Sequence, residues 1–194
     1  MLELLTIPKH EQFLRQKSLP VDFNDKSYLK DIAQIVEFFK NRDSGYALAS
    51  IQLGIPKRIV YVRSSNPECN VDEHPMVLIN PTITKMEGKT QFWEACFSCV
   101  PKNMGLVERP YKISVNYFNE KGEEQNADFE GFPVTVLCHE FDHLDGIFHL
   151  DRAKQTTIKE TREERVNFRK EYPYTVFSKD GNFVYDLGAV SNIG

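Results

Sequence analysis

Between Lys26 and Arg42 the chain reads KSYLKDIAQIVEFFKNR, and Leu29, Ile32, Ile35, Val36 and Phe39 recur at spacings of three and four. That period gathers them on one stripe and predicts an amphipathic helix. Lys57–Arg63 (KRIVYVR) reads as a strand. Further β-like segments follow at Val77–Ile79, Thr82–Met86 and Thr90–Trp93, and Ile113–Phe118 alternates in character. Asn119–Gly122 predicts a turn leading back into a strand near Gln125–Phe129. Phe132–Leu144 holds no Gly or Pro after Pro133, which suits a first helical turn, and Gly146 is placed to end the helix. Residues 156–171 are charged and helix-compatible, with Lys and Arg outnumbering the acids, and read as a solvated helix face. Thr175–Tyr185 predicts a hairpin turning at Asp180-Gly181. The expected class is α+β, with small mixed and antiparallel sheets packed around the helix at 132–144. The expected organisation is a catalytic domain over residues 1–155, with a C-terminal helix and hairpin over 156–194 packed on it or extending from it.

Composition adds limits rather than a function. The chain has 194 residues, which suits one compact domain or one domain plus a tail. Its 41% apolar and 27% charged content is that of an ordinary soluble globular protein. A net charge of -4 argues against a general nucleic-acid binder. No apolar run is long enough to span a bilayer. Met1–Pro8 has a brief apolar segment with no basic region before it, so a secretory signal is not expected. Cytoplasm is the expected location; an organellar matrix fits a mature chain equally well. The four cysteines, Cys69, Cys96, Cys99 and Cys138, do not form a disulfide framework in a chain of this size.

The strongest chemical signal is His139-Glu140-Phe141-Asp142-His143. On a helix, positions i and i+4 share a face, so two imidazoles can reach one ion from adjacent turns. Glu140 sits one residue along, where its carboxylate can take a proton from water beside the metal. A third protein ligand is needed, and two residues compete for that place. His149 completes a His-x-x-x-His-x-x-Gly-x-x-His spacing through Gly146, as in metzincin endopeptidases. Those enzymes carry a methionine turn downstream, whereas the methionines here are at 1, 76, 86 and 104. Cys96 is the other candidate. Cys96-x-x-Cys99 with His139 and His143 could also close a structural zinc site in a binding module.

Three motifs, in order, resemble the peptide deformylase family. Gly45-Tyr46-Ala47-Leu48-Ala49-Ser50-Ile51-Gln52 is similar to the first, Glu94-Ala95-Cys96-Phe97-Ser98 to the second, and His139–Gly146 to the third. Leu14-Arg15, Leu19-Pro20-Val21 and Asp151-Arg152 also fit, so the resemblance covers roughly residues 5–155. It implies that Cys96, His139 and His143 bind one divalent metal. The family uses ferrous iron and often tolerates nickel, cobalt or zinc. It implies Glu140 as general base and then acid, with Gln52 and the backbone N–H of Phe97 holding the formyl oxygen. Glu94 and Arg109 would support the site. Gly45, Tyr46 and Ala47 would line an extended peptide, Tyr46, Phe132, Thr135, Val136 and His139 would border the methionine side chain, and Glu94 would belong to the same substrate-binding set. The implied substrate is an N-formyl-methionyl peptide, met by a monomer in transient contact with the ribosome, with no specific nucleic acid and no membrane as partners.

Several positions depart from the family pattern. Ala47 and Ala95 stand for glycines, and Ser50 for an alanine. Cys99 is an extra residue, Cys138 stands for glutamine, and His149 for an aromatic residue. If position 95 needed positive φ, Ala95 would cost stability. These departures admit a diverged homologue with altered substrate or weak activity. Cys99 reads as a small, partly buried loop residue, and His10 and His74 as surface residues.

Overall fold

A computed structural model of the chain describes residues 3–40, 42, 45–63, 75–178 and 181–185, with Ser178 and 181–185 described by backbone alone. In chain order the elements are α1 (Glu11–Leu14), α2 (Ser27–Lys40), β1 (Ala47–Ala49), a 3-10 turn (Ser50–Leu53), β2 (Ile59–Val62), β3 (Met76–Glu87), β4 (Lys89–Glu94) and β5 (Asn103–Arg109). Then come β6 (Lys112–Phe118), β7 (Glu124–Glu130), α3 (Phe132–Leu144), α4 (His149–Arg152), β8 (Thr156–Ile158), α5 (Arg162–Glu171), β9 (Tyr174–Ser178) and β10 (Gly181–Tyr185). The strands form two five-stranded sheets, ordered β1-β2-β3-β6-β7 and β10-β9-β4-β5-β8. Every ladder between these strands is antiparallel, so the α+β class expected from sequence is met with its sheets in antiparallel form.

The α3 helix packs against β1, β2, β5 and β7 and so bridges the two sheets. A helix in that position must be apolar or internally satisfied all round. Its buried set runs from Phe132 through Leu144 and omits only Pro133 and Val136. Pro133 sits in the first turn, as expected. Beyond the C-terminus, Gly146 has φ +72, and a Cβ there would run into the backbone carbonyl of Arg15. Gly146→Ala is therefore expected to cost at least ~1–3 kcal/mol, read as a lower urea midpoint with an unchanged slope. The Arg15 side chain pairs with Asp151 and tethers α4 to the N-terminal region.

Elsewhere the periodic pattern needed correction. The α2 helix forms, but Leu29 is 46% exposed, while Tyr28 and Phe38 join Ile35 and Phe39 in the buried set. Tyr28 turns inward because its ring meets Phe23 edge-on and its hydroxyl donates to Glu120 O at 3.2 Å. The separate segments Val77–Ile79 and Thr82–Met86 are one strand, β3, with a register shift between Ile79 and Thr82. Asn80 takes φ 51 at that bulge, and its side chain bonds both Val21 N (2.8 Å) and Val21 O (3.1 Å).

Residues 156–171 are not one helix. Thr156–Ile158 pairs with β5, and α5 starts only at Arg162, where Thr161 and Glu164 form a capping box. Nor is α5 a purely solvated face, since Arg165 and Arg169 are buried. The C-terminal hairpin is present, and β9 extends the second sheet through β4. The Asp180 end of its turn lies outside the described residues, as do Cys69 and His74. Among the described residues no helix is long and apolar enough to cross a membrane.

Candidate active site

Helical spacing does the first part of the assembly. His139 and His143 share one face of α3, and their Nε2 atoms lie 3.2 Å apart. Cys96, in the loop after β4, brings its Sγ to 3.2 Å from His143 Nε2. That loop is held from both sides. Ile7 N donates to Ser98 O (2.8 Å), and Lys102 Nζ donates to Cys96 O (3.2 Å) and Phe97 O (2.9 Å). Ala95 carries no strain, because Asn80 is the only positive-φ non-glycine among the described residues.

The donor chemistry fits a divalent ion. His139 Nδ1 lies 2.8 Å from Glu94 Oε2, a carboxylate oxygen that only accepts, so in the neutral ring Nε2 is left with its lone pair facing inward. Cys96 Sγ and a ring nitrogen from each of His139 and His143 all lie within 4.8 Å of one another, and all three residues are buried. Bonds of about 2.0–2.3 Å in a tetrahedral shell put donors ~3.3–3.6 Å apart, close to the two 3.2 Å separations.

Behind the histidines lies a buried ion-pair network. Arg109 Nε and a terminal nitrogen reach the two oxygens of Glu94 at 2.8 and 3.0 Å, and its other terminal nitrogen reaches Asp142 at 2.5 Å. Arg152 bonds both oxygens of Asp142 at 2.6 Å. Burial opposes charge on both Glu94 and Arg109, but their pairing outweighs it. Glu94 is held well below the usual carboxylate range, and Arg109 is pushed above its ordinary value. The acid at position 142 thus anchors α3 to β5 and α4, while Glu94 orients His139.

Glu140 and Gln52 meet at one backbone group. The Ala49 N–H donates to Glu140 Oε2 (2.8 Å) and to Gln52 Oε1 (3.0 Å). With its oxygen so engaged, Gln52 turns Nε2 toward Ser98 Oγ (3.0 Å) and Cys96 Sγ (3.6 Å). Burial raises the Glu140 carboxyl to about 7. Ser50, at a family alanine position, is satisfied by donating to Lys57 O at 2.5 Å.

One cavity is lined by Gly45, Tyr46, Ala47, Gln52, Glu94, Cys96, Phe97, Phe132, Thr135, Val136, His139 and Glu140. Of the residues to which the resemblance gives a site role, all but His143 and Arg109 are among these. Phe92 and Arg169 also line it, and sequence reasoning missed both. Arg169 donates from Nε to Trp93 O (3.0 Å) and lies over the Phe92 ring at 5.0 Å, a contact that the charged run around it does not announce. Gly45 has φ +99, and a Cβ there would strike the Phe97 ring. That glycine lets the strand leading to β1 close on the Cys96 loop.

Two alternative ligand sets are not assembled. Among the described residues the thiol and imidazole donors group as Cys96–His139–His143 and as Cys96–Cys99–His149. His149 does not complete a three-histidine site, because its Nε2 is engaged by Asn103 O at 3.0 Å and its Nδ1 faces Cys99 Sγ at 4.0 Å. Cys99 does not join His139 and His143 in a closed site. It lies in the loop after β4, as expected, and is 1% exposed where partial burial was expected. Cys138 is buried, and burial pushes its thiol up to about 12, which leaves it unreactive.

A buried thiol and two imidazoles beside a buried carboxyl make this a site of the metal-hydrolase class. A family model described as polypeptide deformylase matches residues 1–159. The chain is 36% identical over 141 residues to peptide deformylase 2 of Clostridium acetobutylicum, covering 73% of this chain and 89% of that protein. Peptide deformylase 1 of the same organism is 38% identical over 146 residues, with coverage of 75% and 91%. Among solved structures, a probable peptide deformylase from Synechococcus phage S-SSM7 is similar with a TM-score of 0.67 and 34% identity, covering 78% of this chain and 99% of that one. Peptide deformylase from Thermotoga maritima gives a TM-score of 0.68 at 29% identity, with coverage of 80% and 99%. The chain belongs to the peptide deformylase family.

Proposed function

We propose that this chain removes the N-formyl group from N-formyl-methionyl peptides, releasing formate and a free amine, with Cys96, His139 and His143 as ligands to one divalent ion. The observation that carries this reading is the convergence of those three donors beside Glu140 and Gln52 in one cavity. Bound there, the ion supplies Lewis acidity and acidifies water toward neutral pH. Ferrous iron is our choice for the native ion, on family grounds; a shell of one sulfur and two imidazoles suits nickel, cobalt or zinc as well.

The side chains divide the remaining work. Glu140, fixed through Oε2 by Ala49, uses Oε1 to take the proton from the attacking water and passes it to the departing amine. Gln52 Nε2 and the Phe97 N–H hold the formyl oxygen as negative charge builds on it. Glu94 keeps the His139 ring in the ligating tautomer. The β1 strand is at the edge of its sheet, so an extended peptide can add alongside it and Tyr46. The methionine side chain then enters between Tyr46, Phe132, Thr135 and Val136. Residues 1–155 form the catalytic unit in this reading, and the segment that follows contributes Arg169 to the cavity wall. Since formylated chains arise where translation runs, we place the protein in the cytoplasm as a monomer meeting nascent chains near the ribosome.

Anaerobically iron-loaded protein is expected to release formate from a formyl-Met peptide. A fully metallated preparation with no turnover would sink the reading. Gln52→Ala is expected to lower kcat/KM by ~10²–10³-fold with metal content unchanged, checked by pairing the kinetic assay with metal analysis.

A further inference from the structure

Behind the proposed catalytic ligands lies a second set of donors that the deformylase reading does not use. Cys99 and His149 are each 1% exposed, and with Cys96 they place two thiols and one ring nitrogen within 4.8 Å of one another. The His149 ring is oriented for ligation. Its Nε2 lies 3.0 Å from Asn103 O, and a carbonyl can only accept, so Nε2 carries the hydrogen in the neutral ring. The lone pair is then on Nδ1, which faces Cys99 Sγ at 4.0 Å. A backbone carbonyl fixing one ring nitrogen so that the other can bind is the usual support of a metal-ligating histidine.

The surroundings hold this arrangement open. Gly105 on β5 lies against the ring, and a Cβ there would come within 3.2 Å of His149 Cδ2 and 2.8 Å of Ala153 Cβ. Cys99 is set by its N–H bond to Cys96 O (3.4 Å) and by the bridge its backbone makes with Ile7. Two thiolates and one imidazole form the Cys₂His set that zinc takes with a fourth position open. Thiolate sulfur selects soft or borderline ions such as Zn²⁺ over hard ones such as Mg²⁺.

We infer that Cys99 and His149, with Cys96 as a shared thiolate, form a second site for a thiophilic ion such as Zn²⁺. A thiolate has lone pairs enough to bridge two ions, so Cys96 serves both sites at once.

The test is a count of bound ions. Metal-free, fully reduced protein is titrated with Zn²⁺ and examined by native mass spectrometry. The wild type is expected to take two ions, while Cys99→Ala and His149→Phe each take one and keep formate release when loaded with a single equivalent. A second ion that persists in both variants is adventitious and overturns the inference. A wild type that takes one ion overturns it too, and leaves the deformylase reading intact; a wild type that takes none overturns both. Should a variant fail to fold, Cd²⁺ titration of the unmodified chain decides the matter. The sulfur-to-cadmium charge-transfer band must rise again with the second equivalent, as the Cys99 thiolate is engaged, and a band that stops growing after the first equivalent overturns the inference.

Discussion

Replacing Glu140 by glutamine is expected to lower kcat by ~10²–10⁴-fold while metal content stays at the wild-type level. The glutamine keeps an oxygen to accept from Ala49 N, the bond that fixes Oε2 at 2.8 Å, so the local backbone has no reason to move. What it loses is the ability to take a proton and return it. KM is expected to change little, because the cavity wall formed by Tyr46, Phe132, Thr135 and Val136 is untouched. Stopped assays for formate, with metal analysis on the same sample, check both halves. A variant that keeps most of its kcat would remove Glu140 from the reaction.

The second large effect is on stability. Arg109→Met is expected to destabilise the fold by ~3–5 kcal/mol, because it leaves the buried Glu94 carboxylate without its guanidinium partner and strips one of two from Asp142. Glu94 and Arg109 have side chains 3% and 4% exposed, and Asp142 is 10% exposed, so water cannot replace the guanidinium cheaply. Arg152 also bonds Asp142 but is itself 45% exposed. Arg152→Met is therefore expected to cost no more than about 1 kcal/mol. Urea unfolding of the two variants side by side gives the comparison, and equal losses would mean that the network does not matter through its burial. Arg109→Met should also weaken metal binding, since Glu94 then loses the partner that holds it against His139.

The sequence revealed this molecule unevenly, and the reasons are physical. Phe132–Leu144 was readable to the residue because a buried helix with Pro in its first turn and Gly just past its end carries its own punctuation. His139 and His143 were readable because helical geometry converts a spacing of four into proximity. Cys96 was not readable that way. Its distance from the histidines along the chain carries no geometry, and it stood as one of two candidates until the resemblance to a motif favoured it over His149. β5 went unseen because Gly105 and the charged residues near its end break the alternation, while its pairing with β4 and β8 comes from distant parts of the chain. β3 was divided at Asn80-Pro81, where the strand bulges without ending. Arg169 looked like one more solvated cation. It is buried because Trp93 O and the Phe92 face receive it, and neither contact is local in sequence. His149 was weighed as a third ligand on correct spacing, yet the turn after α3 points it at Cys99 instead.

The most direct measurement is an anomalous-scattering map at the cobalt edge, from crystals of reduced protein loaded with one equivalent of Co²⁺. The account predicts a single strong peak within bonding distance of Cys96 Sγ, His139 Nε2 and His143 Nε2, with Glu140 beside it. A peak held by His139, His143 and His149 without Cys96, or one held by Cys99 and His149 alone, would contradict it.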